Sequence, residues 1–129
     1  MLSKLAAAAA VLALTCALAT AEDAKPNDAQ IAHIAYTADQ IDINAAKLAL
    51  QKSKNKDVRD FAENMARDHK AVNDQALALV KNLNVTPQDN DTSKALAKQA
   101  ASKEAELKQL IGVAFDKAYA DMRSLTTRP

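Results

Sequence analysis

The chain is poor in the residues that build sheets and tight turns. Of its 129 residues, one is Gly, three are Pro, 3% are aromatic and none is Trp. Sheets favour β-branched and aromatic side chains, and their hairpin turns rely on Gly, so this composition argues against a sheet protein. Ala and other strong helix formers dominate instead, and we predict an all-α fold.

Cysteine is nearly absent as well, and the single Cys16 lies in an apolar N-terminal stretch. Residues 1–21 carry one positive charge, an apolar run and Ala19-Thr20-Ala21, a pattern typical of a signal peptide. We therefore expect cleavage after Ala21, export to the bacterial periplasm, and a mature chain without thiol or disulfide. The alternatives are a membrane anchor through an uncleaved signal, for which the run is short, and a lipid anchor on Cys16.

Charge of either sign is not concentrated anywhere, since 17 Lys and Arg accompany 16 Asp and Glu in mixed order. Basic residues are not interleaved with aromatics, as nucleic-acid binding requires, and no Gly-rich phosphate loop exists. No Ser or Cys stands beside a base, as nucleophilic catalysis requires. We therefore expect no nucleic-acid partner, no small-molecule substrate and no catalytic residue, which favours a protein that is not an enzyme.

Apolar residues at helical spacing define one helical-bundle domain over residues 28–122, after a polar linker at residues 22–27. A first helix is predicted over residues 29–52, behind a cap at Asn27 or Asp28. A second is predicted over residues 57–83, behind a cap at Asn55. The short connection between them forces an antiparallel hairpin.

A third helix is predicted after a cap at Asp91, Thr92 or Ser93. Gly112 either breaks this helix or is tolerated within it. Residues 123–129 have neither periodicity nor a packing face, so we expect a disordered tail there. The predicted architecture is an antiparallel bundle made of a long helical hairpin plus a third helix.

The second helix carries an apolar stripe that we expect to face the core. Its members recur at helical spacing: Val58, Phe61, Met65, Val72, Ala76, Leu79 and Leu83. His69 lies about 40° from Met65 at roughly 100° per residue, and Asp68 lies at the edge of the stripe. The sequence therefore predicts that an acid and an imidazole face inward.

Asp42 of the first helix, Asp68 and His69 are predicted to converge in the core of the hairpin. One interpretation is a buried histidine whose ring is hydrogen-bonded by Asp42 or Asp68. The other is a metal site for iron, manganese or zinc with these three side chains as candidate ligands. Di-metal bundles use a Glu three residues before each His, and Ala66 stands there instead. The residues therefore favour no metal and no cofactor.

Two strings resemble the bacterial family of domain of unknown function 4142: Met-x-x-Asp-His at Met65–His69 and Phe-Asp-x-x-Tyr at Phe115–Tyr119. The resemblance covers residues 28–120 and implies an exported, ferritin-like helical bundle. It nominates Asp42, Asp68 and His69 for any inward polar site. Family members continue with a long helix and a last helix that each bear a His, so the resemblance implies a C-terminally truncated, incomplete bundle here.

The leading functional hypothesis is an envelope protein of unknown biochemical role, non-catalytic and related to stress. The alternatives are a metal-binding or oxidoreductase ferritin-like domain, and a truncated remnant without function. An incomplete bundle leaves apolar helix faces uncovered, so we expect self-association through them. The positions expected on those faces are Ile31, Ala35, Ala49, Ala62, Ala66 and Val80.

Overall fold

The computed structural model describes residues 25–126, with side chains as far as Arg123. Over this range the only regular secondary structure is helical: α1 (Asp28–Lys52), α2 (Lys56–Asn82), α3 (Asp91–Lys108) and α4 (Gly112–Thr126). The predicted all-α helical bundle is confirmed. None of these helices combines the length and the apolar character needed to cross a membrane. The predicted signal peptide, its cleavage site and Cys16 lie outside the described residues.

Each of the first three helices begins at an asparagine cap. The Asn27 side chain accepts a hydrogen bond from the Gln30 backbone N–H at 2.9 Å, and the Gln30 side chain accepts one from Asn27 in return. Asn55 accepts from the first backbone N–H groups of α2, as predicted. Helix α3 is capped by Asn90, one residue before the predicted candidates. Such caps satisfy backbone donors that would otherwise lack partners.

Helices α1 and α2 form the predicted antiparallel hairpin around a three-residue connection. Arg59 of α2 fixes this connection, because its Nη1 donates to the backbone oxygens of Leu50 at 2.6 Å and Ser53 at 3.1 Å. Small side chains line the interface: Ala46, Ala49 and Ala62 are fully buried. Their size lets the two backbones approach closely.

The apolar stripe predicted for α2 lies partly on the wrong face. Phe61, Val72, Leu79 and Leu83 are exposed, while Ala62 and Asn73 are the buried residues of this helix. The face of α2 that contacts α1 is therefore rotated away from the predicted stripe, toward Ala62. The reason is that the two helices meet through their alanines, where a large side chain has no room. For the same reason Ala49 and Ala62, which were expected on uncovered faces, lie in the core. Ile31 and Ala35 are exposed, as expected.

The region after Asn90 forms two helices, so of the two alternatives left open for Gly112 the break is the one that the structure shows. Helix α3 ends at Lys108, and Gly112 has a left-handed φ of +58° at the start of α4. Only glycine adopts that conformation readily, so the Gly112 break is real. Helix α4 runs to Thr126, through part of the stretch expected to be disordered. The reason is that Arg123, at the start of this stretch, is buried and bonds Asp42 of α1.

Helices α3 and α4 both pack against α1. The chain enters α3 near the start of α1, where Asn90 Nδ2 donates to the Gln30 oxygen at 3.2 Å, and leaves it where Lys52 Nζ donates to the Lys108 oxygen at 2.9 Å. Helix α3 is therefore parallel to α1. Helix α4 runs antiparallel to α1 and covers its C-terminal half. The buried core lies at this end and includes Ala45, Leu48, Leu107, Phe115 and Tyr119.

Candidate functional site

A cluster of charged side chains lies between α1, α2 and α4. Asp39 and Asp42 stand three residues apart on α1 and so share one face. The hairpin places His69 of α2 opposite them. Its Nδ1 lies 2.6 Å from Asp39 Oδ1, and its Nε2 lies 3.5 Å from Asp42 Oδ2. The first distance is a hydrogen bond from the ring to the carboxylate, and the second is an ion-pair distance when the ring is protonated.

Arg123 of α4 completes this arrangement, which we name the polar cluster (Asp39, Asp42, His69 and Arg123). Its Nη1 donates to Asp42 Oδ1, and its Nη2 donates to Asp42 Oδ2 at 3.2 Å. Asp42 and Arg123 are both buried. A two-pronged pair of this kind fits the planar guanidinium to the planar carboxylate and fixes the geometry of both side chains.

Opposite charges face each other within the polar cluster. Asp39 and Asp42 contribute negative charges, Arg123 contributes a positive charge, and the His69 ring bonds Asp39. Isolated charges are costly to bury, and a buried charge is tolerated when it is paired and hydrogen-bonded. The polar cluster therefore joins three helices through mutually compensating charges.

Tyr119 lies beside the polar cluster and is almost completely buried. Its ring stacks on Phe115 with 6.2 Å between centroids and meets the ring of Phe61 edge-on at the same separation. Its hydroxyl has no hydrogen-bond partner among the described residues. Burial raises the pKa of Tyr119 above its usual value of 10.0; the Arg123 charge opposes this shift, and the Asp42 charge adds to it. The phenol is therefore held in its neutral form.

Of the three side chains predicted to converge, the structure brings Asp42 and His69 together. Asp68 is wrongly predicted to face inward, because it is exposed and pairs with Arg67 at 2.9 Å. Adjacent helical residues point about 100° apart, so Asp68 points away from α1 when His69 points toward it.

Two members of the polar cluster, Asp39 and Arg123, were not among the predicted site residues. Asp39 precedes Asp42 by one turn on the same face, and in an antiparallel hairpin with so short a connection it stands level with His69. Arg123 follows Phe115 and Tyr119 at four-residue intervals, which places all three on one face of α4. Both signals were present in the sequence.

The chemistry open to the polar cluster is limited by its own contacts. Both Asp42 oxygens accept from Arg123, and both ring nitrogens of His69 face carboxylates. Over residues 25–126 no three His, Cys, Asp or Glu side chains are arranged to hold a metal ion. The arrangement is suited to holding the three helices together.

Comparison with known proteins identifies the family. The model of the family described as domain of unknown function (DUF4142) matches residues 13–127, almost the whole chain. The chain belongs to this family. The match confirms the resemblance drawn from the two strings, and it includes every member of the polar cluster in this DUF4142 protein. No curated protein and no solved structure shows significant similarity to the chain.

Removing the Tyr119 hydroxyl tests whether this buried group lowers the stability of the DUF4142 protein. We expect Tyr119→Phe to raise the free energy of unfolding by up to about 1 kcal/mol, because an unpartnered buried hydroxyl loses its water without replacement. Urea unfolding followed by circular dichroism measures the change. Tyr36→Phe is the control, since Tyr36 is only half-buried and its hydroxyl is not one of the buried groups without a partner, so little change is expected. A clear loss of stability in Tyr119→Phe would show that the hydroxyl is bonded in solution.

Proposed function

We propose that this DUF4142 protein is a non-catalytic helical-bundle protein of the bacterial envelope whose polar cluster is structural. The observation that carries the proposal is the contact of Arg123 with both carboxylate oxygens of Asp42. A catalytic or metal-binding carboxylate in a bundle keeps a lone pair directed at a substrate or ion. Here the guanidinium takes that place and adds a positive charge that disfavours a metal cation.

His69 supports the same proposal. A histidine that binds a metal through one ring nitrogen commonly donates from the other to a carboxylate or carbonyl, which leaves the first nitrogen free for the metal. In this protein Nδ1 bonds Asp39 and Nε2 is directed at Asp42. An imidazole whose two nitrogens both face carboxylates is instead suited to joining those two side chains.

Export and an envelope location are supported by the pattern of residues 1–21, with one basic residue, an apolar run and a small-x-small end. A role in stress and a ferritin-like arrangement of the helices both stay predictions. The metal-binding alternative is retained as the hypothesis that the following experiment separates from a structural cluster.

The test is metal retention by the purified chain. The protein is incubated separately with Fe²⁺, Mn²⁺ and Zn²⁺, dialysed and analysed for metal. We expect far less than one ion per chain in every case, because the Arg123 charge lies on Asp42 and His69 Nδ1 is bonded to Asp39. His69→Ala is the matched variant. Retention of about one ion per chain that disappears in His69→Ala would contradict the proposal and establish a metal site.

A further inference from the structure

Helix α4 covers only part of the face that α1 presents to it. Asp42, Ala45 and Ala49 lie beneath α4 and are buried. The same face of α1 continues toward its N-terminus through Ala38, Ala35 and Ile31, at intervals of three and four residues, and these three residues are exposed. Arg123 of α4 contacts Asp42, and the three exposed residues lie beyond Asp42 toward the start of α1. An open trough therefore continues along the axis of α4 over the first turns of α1.

Helix α2 forms one wall of this trough. Phe61 marks the side of α2 that is turned to α4, since its ring meets Tyr119. Continuing along α2 on that side, Val72, Ala76, Leu79 and Leu83 are exposed, and we name these four residues the α2 flank. Val72 is 53% exposed, Leu79 59% and Leu83 63%. The α2 flank extends about 17 Å along the helix, from the rise per residue.

We propose that a second copy of this chain covers the trough, with the two α2 flanks packed antiparallel about a two-fold axis. The members of the α2 flank are spaced by four, three and four residues. This order is the same in both directions along the helix. An antiparallel pair therefore sets Val72 against the partner's Leu83 and Ala76 against the partner's Leu79, twice over. A self-complementary surface of this kind is what a two-fold interface needs.

Charge and shape both favour this occupant. The charged residues in this stretch of α2, Asp74 and Lys81, lie on the side opposite the α2 flank, because each follows a member of the flank by two residues. No charge is therefore buried by the pairing. A parallel pair would bring both α4 helices to the same level beside the two α2 helices. The antiparallel pair places them at opposite ends, where each keeps its contact with Phe61.

The exposed area is sufficient for a weak dimer. Covering the α2 flank and Ile31 on both copies removes on the order of 900 Å² from water, which is at the low end for a specific interface and fits a weak association. The alanines of the trough, Ala35 and Ala38, leave room for a helix to lie against α1. The proposal is independent of whether the polar cluster binds a metal.

Sedimentation velocity of the purified chain over a range of about 1 to 100 µM tests the association, since weak specific interfaces have dissociation constants in this range. We expect a reversible monomer–dimer equilibrium and at least a tenfold weaker association in Leu79→Glu. Val113→Glu is the matched control, because Val113 is 83% exposed on α4 at the other end of the bundle. It is expected to dimerise as the parent does. A monomer throughout, or equal dimerisation of Leu79→Glu, would overturn the proposal.

Cross-linking tests the register without depending on a loss of association. In a Cys16→Ser background, Val72→Cys and Leu83→Cys are oxidised separately and after mixing. The antiparallel pair predicts that the mixture forms a disulfide-linked dimer of the two variants much faster than either variant forms a linked dimer with itself. Efficient linkage of each variant with itself would indicate a parallel pair and overturn the proposed register.

Discussion

Arg123→Ala is expected to lower the free energy of unfolding by about 3–5 kcal/mol, because it leaves the buried Asp42 carboxylate without its partner. Arg123 is itself buried, so the pair is poorly screened by water. Loss of the guanidinium also removes the only side chain of the polar cluster that comes from α4. Urea unfolding followed by circular dichroism measures the change.

Arg67→Ala is the matched control for this variant. Arg67 also pairs with an aspartate, at 2.9 Å from Asp68, but both side chains are exposed on α2. Exposed pairs contribute about 0–1 kcal/mol, so a small effect is expected. If the two arginine variants lost stability equally, Arg123 would be a surface residue in solution, and α4 would not pack as the structure shows.

Phe115→Ala is expected to lower the free energy of unfolding by about 3–5 kcal/mol, the usual range for a phenylalanine deleted from a core. Phe115 is fully buried and stacks on Tyr119, and the Lys52 ammonium lies 5.9 Å from the centre of its ring. The substitution therefore removes apolar contacts with α1 together with an aromatic and a cation–π contact. Thermal unfolding followed by circular dichroism provides the measurement.

Val113→Ala is the control on the same helix. Val113 lies two residues before Phe115 and is almost fully exposed, so its truncation is expected to change the free energy of unfolding by less than about 0.5 kcal/mol. A Phe115→Ala variant as stable as this control would mean that α4 is detached from α1 in solution. The polar cluster could not then form either, because Arg123 depends on the same helix.

The hairpin was predictable because its signals are local. Asn27 and Asn55 cap the helices from positions adjacent to them, and a short connection leaves two long helices no arrangement but an antiparallel one. The rotation of α2 was not predictable from apolar periodicity. Periodicity gives weight to large residues such as Phe61 and Leu79, whereas the contact with α1 is made through Ala62, which contributes little hydrophobic signal.

The polar cluster was predictable in part for the same reason. Asp42 and His69 were predictable because both lie on the helix faces that meet between α1 and α2 in the structure. Asp68 was wrongly predicted because it borders the apolar stripe of α2, and the part of that stripe beside it is exposed. Arg123 depends on a contact across 81 residues of sequence, and no periodicity links it to Asp42. Its position on the face of Phe115 and Tyr119 was the available signal.

A double-mutant cycle on Asp42 and Arg123 tests most directly that the polar cluster is structural. Asp42→Ala, Arg123→Ala and the double variant are unfolded in urea with a chelator present. If the two side chains stabilise each other, the double variant should lose about as much stability as one single variant, which gives a coupling of about 2 kcal/mol or more. Losses that simply add would show that the two residues do not interact, which would contradict a structural cluster closed by Arg123.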